Sequence, residues 1–364
     1  MNSIITPDIQ EVMNAVHYRP AVSIIMPIES KSNFQNQINH ILKTTIDKVE
    51  RELYNNYPDE LCKIVVLRLK TIIKDFKFDL HKKAVVIYVS PVFEKILYLD
   101  VPVEEKIIID ESFEIRDLVY SKQQLHKYLV LLLSNKESRV FIGNATVFVK
   151  IKSSIPENES AYVNEGSERV SNFSDPSEHK EILMKKFLHH VDTELDTVLN
   201  AYHLPLFVIG ADRLMGHFKQ LTKHGDAVTE YIHGNYENAS IPELKKILEP
   251  HIANWKKAHQ KNLIEDVDAA AGQKRLAIGI KDVWHEAMNE KGKLLVVEKN
   301  YMYAAQHGHS KDVIYNVTDD KNSFYIKDAV DDIIEAVLEK GGDIDFVEKG
   351  LLKKYQHIAL IKYY

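Results

Sequence analysis

Two places in the sequence bring histidines together, His189-His190 and His307-Gly308-His309, and paired imidazoles invite a metal reading. Neighbours on a helix point about 100° apart, so His189 and His190 do not readily share an ion. The His-Gly-His pair falls in a polar stretch without an evident carboxylate or cysteine beside it. Both read as solvated histidines, and no metal site is expected. A two-metal nuclease needs several carboxylates converging from strands. The apolar runs Tyr128–Leu133, Ser138–Ile142 and Thr146–Ile151 contain no Asp or Glu. Asp212-Arg213 follows Gly210 at the end of an apolar run, where α/β folds place ligands; the plainer reading makes Asp212 the N-cap of the next helix. No Gly-rich phosphate loop, Ser-His-Asp ordering or His-Glu-x-x-His string occurs. The expectation is no catalytic residue, no cofactor and no metal.

What remains is contact chemistry. Lys63, Lys70, Lys74 and Lys77 recur on the outer side of a helical pattern, with Lys82 and Lys83 just beyond. Such a face suits phosphate. Asp75 and Asp79 are interleaved, and a charged helix face is ordinarily just solvated. Further on, Ser153–Glu178 is rich in Ser, Asn, Glu and Pro and has no helical or strand period. A loop of roughly 25 residues is a functional tip or a disordered segment. It carries Arg169, Asn172 and Phe173. An aromatic and a cation there suit stacking and phosphate contact with single-stranded RNA; pinning the loop to its own domain is the equal alternative.

The elements that must position these residues follow from period and punctuation. Thr6-Pro7-Asp8 starts a helix that ends near Tyr18, and Val22–Ile28 reads as a buried strand. Phe34, Ile38, Ile41, Thr45, Val49 and Leu53 mark the inner face of one helix, and Leu61, Val65, Leu69, Ile72 and Phe76 that of a second. Strands follow at Ala84–Val89, Lys95–Val101 and Lys106–Ile109. A first α/β domain over residues 1–124 results. Residues 125–262 form a second domain, in which Gly143-Asn144 and Ser134–Glu137 separate the strands of an antiparallel meander. The long loop interrupts it, and alternating helices and strands then reach a capping box at Ser240–Glu243. Meander strands followed by α/β units are the order of an RNase H-like sheet. Residues 263–364, reached through a helical linker, read as a third, α-β-α domain in which Gly341-Gly342 stops the last helix. The fold class expected is mixed α/β (α+β).

At 364 residues the chain exceeds one ordinary core, so two or three domains are expected. The composition, 45% hydrophobic and 27% charged, is that of a folded soluble protein. A net charge of −6 means that nucleic acid would meet local basic faces rather than a global field. The single cysteine, Cys62, excludes an internal disulfide and fits a reducing cytoplasm. No signal peptide is read at the N-terminus, and no apolar run approaches the about 20 residues that span a bilayer. A cytoplasmic protein without a membrane partner is expected.

Several strings then resemble a known family. Gly279-Ile280-Lys281-Asp282-Val283, Lys293-Leu294-Leu295-Val296-Val297-Glu298, Gly341-Gly342-Asp343-Ile344-Asp345-Phe346-Val347 and Ile358-Ala359-Leu360-Ile361-Lys362-Tyr363 look like the third domain of the archaeal and eukaryotic class-1 peptide release factor and Pelota superfamily. That domain is similar to ribosomal proteins that bind kinked RNA, and the second domain resembles the superfamily's RNase H-like middle domain. More narrowly, the chain resembles the bacterial branch, which includes Balon-like ribosome hibernation factors.

The resemblance implies ribosomal RNA of the A-site region as partner, with a translational GTPase as a further implied one. It also exposes a departure. Release factors end the middle-domain loop in Gly-Gly-Gln, whose glutamine assists ester hydrolysis. Here Ser153–Glu178 has one glycine, Gly166, and no glutamine, while Gly272-Gln273 follows Ala271 far outside that loop. The implied function is a non-hydrolytic factor that occupies the A-site in hibernation, rescue or surveillance. A peptidyl-tRNA or RNA hydrolase with an unrecognised site, and a non-ribosomal scaffold on the same fold, stand as alternatives.

Overall fold

The structure, a computed structural model, describes residues 6–15, 18–28, 34–74, 79, 82–124, 127–134, 138–144, 147–152, 176–289, 291–317 and 325–363. The chain forms two compact units: Met1–Gln124 together with Gln260–Tyr364, and Leu125–His259.

In the first unit the N-terminal part runs α1 (Pro7–Met13), β1 (Ala21–Pro27), α2 (Phe34–Asn56), α3 (Asp59–Lys74), β2 (Ala84–Val89), β3 (Glu94–Leu99), β4 (Lys106–Asp110) and α4 (Arg116–Gln124). The strands form an antiparallel sheet in the order β3-β2-β1-β4. Because side chains alternate across a strand, Val22, Ile24, Val85 and Ile87 pack on one face against Leu42, Ile46 and Val49 of α2 and Val65 and Leu69 of α3. Ile25, Val86 and Tyr88 enter a second core on the other face. Ile41, expected inside, is 40% exposed; Leu42 fills the core at that turn.

The second unit contains β5 (Tyr128–Leu132), β6 (Arg139–Gly143), β7 (Phe148–Lys150), α5 (Pro176–Tyr202), β8 (Leu206–Gly210), α6 (Asp212–Leu221), β9 (Val228–His233) and the start of α7 (Ile241–Gly272). Its sheet has the order β7-β6-β5-β8-β9, with the first three strands antiparallel and β5, β8 and β9 parallel. Counted along the unit this is 3-2-1-4-5, the arrangement expected of the RNase H-like sheet. Phe187, Val191 and Leu195 of α5 and Leu214 and Phe218 of α6 cover one face. Leu244 and Leu248 of α7 cover the other. At the start of α7 the Ser240 N–H donates to Glu243 Oε2 at 2.8 Å, the backward arm of a capping box, and the Ser240 hydroxyl donates to the same oxygen at 2.7 Å.

The C-terminal part of the first unit adds β10 (Leu276–Ile278), α8 (Gly279–Met288), β11 (Gly292–Glu298), β12 (Ala305–His307), β13 (Ile314–Asn316), β14 (Tyr325–Ile326), α9 (Ala329–Glu339), β15 (Asp343–Val347) and β16 (Ile358–Lys362). The main sheet is β10-β16-β11-β15, and β13-β12-β14 form a small second one. Leu295, Val297 and Leu360 face Val283 of α8 and Ile333 and Val337 of α9. Val296, Ala359 and Ile361 face Leu263 and Val267 of α7. These are the two sides of an α-β-α sandwich. The core that includes α8 and α9 also takes in Ile25, Val86 and Tyr88, so the two ends of the chain bury one another.

Gly341, at φ +78°, ends α9 in the left-handed region, and the Gly342 N–H donates to the Val337 carbonyl at 2.9 Å. A Cβ on Gly342 would stand 2.6 Å from the Gly292 carbonyl oxygen and 2.7 Å from Val337 Cγ1; one on Gly341 would meet nothing. Gly342→Ala is therefore expected to cost roughly 1–3 kcal/mol through overpacking. Gly341→Ala should cost roughly 1–2 kcal/mol, through its φ alone. Urea unfolding of each variant checks the order, and a Gly342→Ala midpoint equal to wild type would refute the close approach.

Candidate nucleic-acid interface

The lysines of α3 are where a phosphate surface would lie. Lys63, Lys70 and Lys74 are exposed there; Lys77 lies outside the described residues. Ile64 and Leu67, 43% and 68% exposed, interleave with them. Lys70 Nζ donates to Glu50 Oε2 of α2 at 2.9 Å, and Arg68 pairs with Glu94 at 3.1 Å. A carboxylate thus neutralises the middle of the row, and a phosphate reaching Lys70 would have to displace Glu50. The row of lysines is thus interrupted by an acid among the described residues. Arg169, Asn172 and Phe173 also lie outside the described residues.

In the second unit the parallel strands end beside a row of polar groups. Asp212 is not the N-cap: Ala211 occupies that position, and Asp212 falls in the first turn. Its carboxylate lies 2.6 Å from His233 Nδ1 at the end of β9, and His233 Nε2 lies 3.0 Å from Lys219 Nζ. The ammonium also sits 4.5 Å from the centroid of the Tyr231 ring. These distances fit a neutral imidazole that donates from Nδ1 and accepts the lysine proton at Nε2. All three side chains are exposed, so the row orients itself without enclosing a substrate. His189 and His190 are exposed on α5. The His307 ring lies 5.9 Å from Trp284, and burial, then the charge of Arg19, holds its pKa below the usual value. No group of three metal-ligating side chains occurs among the described residues.

The most perturbed groups lie in the first unit. Asp331 of α9 accepts the backbone N–H of Ile115 at 3.1 Å and of Arg116 at 2.8 Å, capping α4 from 215 residues away. The Arg116 guanidinium, its side chain 1% exposed, pairs with Asp328 and donates to the Tyr301 carbonyl at 2.7 Å. At the far end of α4, Gln123 donates to the Ile344 carbonyl and accepts the Phe346 N–H, both at 3.1 Å. Ser112 donates to Asp332 at 3.1 Å. Glu114 Oε1 is buried without a hydrogen-bond partner, 3.8 Å from Arg116 Nε.

Burial raises these carboxyls. Glu114 is pushed up to about 8 against the pull of Arg116, and Asp331 and Asp332 stand well above the usual range. Groups this close titrate together rather than one by one. The cavity they line, with Ile108 and Asp110, is about 10 Å³, room for one water at most. The cluster is therefore a joint between the two ends of the chain, with no space for a substrate. Sequence reasoning missed it because its acids look like ordinary first-turn carboxylates of α9.

With this geometry in hand, comparison with known proteins is informative for one segment. Residues 127–291 match the family model described as bacterial archaeo-eukaryotic release factor family 3. The match spans less than half of the chain. No curated protein matches the chain. Among solved structures, archaeal Pelota from a model of ribosome-bound Pelota and ABCE1 is 12% identical, covers 79% of each chain and has a TM-score of 0.44. Pelota from Archaeoglobus fulgidus is 12% identical over 79% of this chain and 81% of that one, with a TM-score of 0.35. Dom34 from S. cerevisiae, described as a translation termination-like factor, is 13% identical over 79% and 82%, with a TM-score of 0.37. At these scores the structures carry no argument, and the likeness rests on the family model.

Two outcomes follow for the cluster. Arg116→Ala strands Asp328 and Glu114 in a buried site and is expected to cost about 3–5 kcal/mol, read as a lowered urea midpoint for the first unit. The folded state keeps a proton on the cluster that the unfolded chain releases near pH ~4. Wild-type stability should therefore be greatest at the acidic end of that window and fall as the pH rises toward about 8, the folded-state value at Glu114. Glu114→Gln should flatten this slope; an unchanged slope would show that Glu114 does not hold the proton.

Proposed function

We propose that this protein is a non-hydrolytic ribosome-associated translation factor that occupies the A-site, acting in hibernation, rescue or surveillance. The observation that carries the reading is a conjunction in one segment. The segment matched to the release-factor family contains the stretch Ser153–Glu178, and that stretch has no Gly-Gly-Gln and no glutamine at all. Peptide release by the superfamily's chemistry needs that glutamine beside the ester; without it the fold keeps its contacts with RNA and loses the hydrolytic step. The partners proposed with it are ribosomal RNA of the A-site region and a translational GTPase. Lys63, Lys74, Lys77, Arg169, Asn172 and Phe173 are the residues proposed to contact RNA, and Lys70 contributes less because Glu50 already neutralises it.

The test is co-sedimentation of the purified protein with bacterial ribosomes at low and moderate salt, with and without A-site tRNA. Binding that tRNA displaces supports A-site occupancy, and no pelleting at either salt overturns it. In the same assay the double substitution Lys63→Ala, Lys74→Ala should weaken binding and lower the salt slope by about one for each phosphate that is no longer neutralised, whereas Lys70→Ala should change it less. Incubation with peptidyl-tRNA on ribosomes should yield no released peptide.

A further inference from the structure

On the α7 side of the second unit, past the end of β9, lies an open groove of about 660 Å³ lined by Asn235, Tyr236, Asn238, Glu243, Lys246 and Ile247. Its volume falls within the ~300–1,000 Å³ of small-molecule sites, and its position outside the carboxyl end of a parallel strand is where α/β sheets take ligands. The walls are fixed before any ligand arrives. The Gly234 N–H donates to the Gly210 carbonyl at 3.0 Å, extending the β8–β9 ladder, and the Ala239 N–H closes a turn on the Tyr236 carbonyl at 3.0 Å. Arg139 Nη2 holds the Glu237 carbonyl at 2.9 Å, and Glu243 is anchored by Ser240. The Tyr236 ring lies directly over Gly234, where a Cβ would stand 2.4 Å from it, so the ring rests on bare backbone.

We propose that this groove binds one nucleotide. Each part of a nucleotide finds a partner of matching chemistry. Tyr236 offers a half-buried aromatic surface on which a base stacks, and Ile247 adds apolar contact. The Asn238 amide is exposed and has no hydrogen-bond partner among the described residues, which leaves its donor and acceptor for a base edge. Lys246 makes no ion pair among the described residues and supplies a cation for phosphate. Glu243, one turn before Lys246 on α7, spends Oε2 on Ser240 and keeps Oε1 for ribose hydroxyls. The ligand is either a free mononucleotide or the terminal nucleotide of an RNA chain. The inference does not rest on ribosome binding.

The test is calorimetric titration of the full-length protein with AMP, CMP, GMP and UMP, with adenosine, and with the trinucleotide CCA; no ribosome is present, so its outcome is independent of the A-site reading. At least one monophosphate should bind, and adenosine, lacking the phosphate, should bind more weakly than AMP. Lys246→Gln and Asn238→Ala, both at exposed positions, should each weaken binding about tenfold, and Tyr236→Phe, which keeps the ring, should weaken it less. CCA binding tighter than AMP would assign the site to an RNA end, and CCA no tighter than AMP to a free nucleotide. No binding of any monophosphate or of CCA, or binding that Lys246→Gln and Asn238→Ala leave unchanged, would overturn the proposal.

Discussion

The first unit depends on a carboxylate that does the work of a capping residue from the other end of the chain. Helix α4 has no side chain of its own placed to satisfy its first N–H groups; Asp331 accepts those of Ile115 and Arg116 instead. Arg116, buried by the same contact, would be an uncompensated charge without Asp328. Gln123 completes the arrangement by bonding the backbone of β15 much as another strand would. Arg116 and Gln123 direct their side-chain hydrogen bonds to the C-terminal part of the unit, so the two parts are specified together. The buried acids beside them carry the cost, which burial expresses as raised carboxyl pKa values.

The second unit is held by different means. The central strands β5 and β8 of its sheet are fully buried apolar runs, with one face under α5 and α6 and the other under α7. Polar groups collect at the carboxyl ends of the parallel strands, where Asp212, His233 and Lys219 lie on the α6 side and the Tyr236 groove on the α7 side. The scaffold is rigid and its chemistry lies at one edge, the usual division of labour in α/β folds.

Strands β5, β6 and β8 were legible because each is an apolar run bounded by Gly, Asn or polar punctuation, and the start of α7 because Ser240 and Glu243 carry a local signal. Helix α4 was not, since its apolar signal is confined to Leu118, Val119 and Tyr120 and the rest of its inner side is held by polar contacts of Arg116 and Gln123 to distant residues. Strands β10, β12, β13 and β14 are two or three residues long, too short for any period to show. Ile41 and Leu42 are adjacent and equally apolar, so only packing could choose between them. The α3 lysines were visible as a row, but Glu50 lies on another helix, and pairing across helices leaves no trace in spacing. Asp212 illustrates the same limit: its residue type suited an N-cap, and the chain turned one residue earlier.

The nesting of one unit inside the other has a consequence for synthesis. The ribosome makes the chain from its N-terminus, so Met1–Gln124 emerges long before Gln260–Tyr364 exists. During that interval the residues that α8 and α9 supply to the shared core, Val283 and Ile333 among them, are absent, and Arg116 lacks Asp328. The second unit, whose core residues lie within Leu125–His259, can close while the first still waits. The nascent chain therefore carries an incomplete core across the translation of some hundred or more residues. The first unit is complete only when α9 arrives to cap α4.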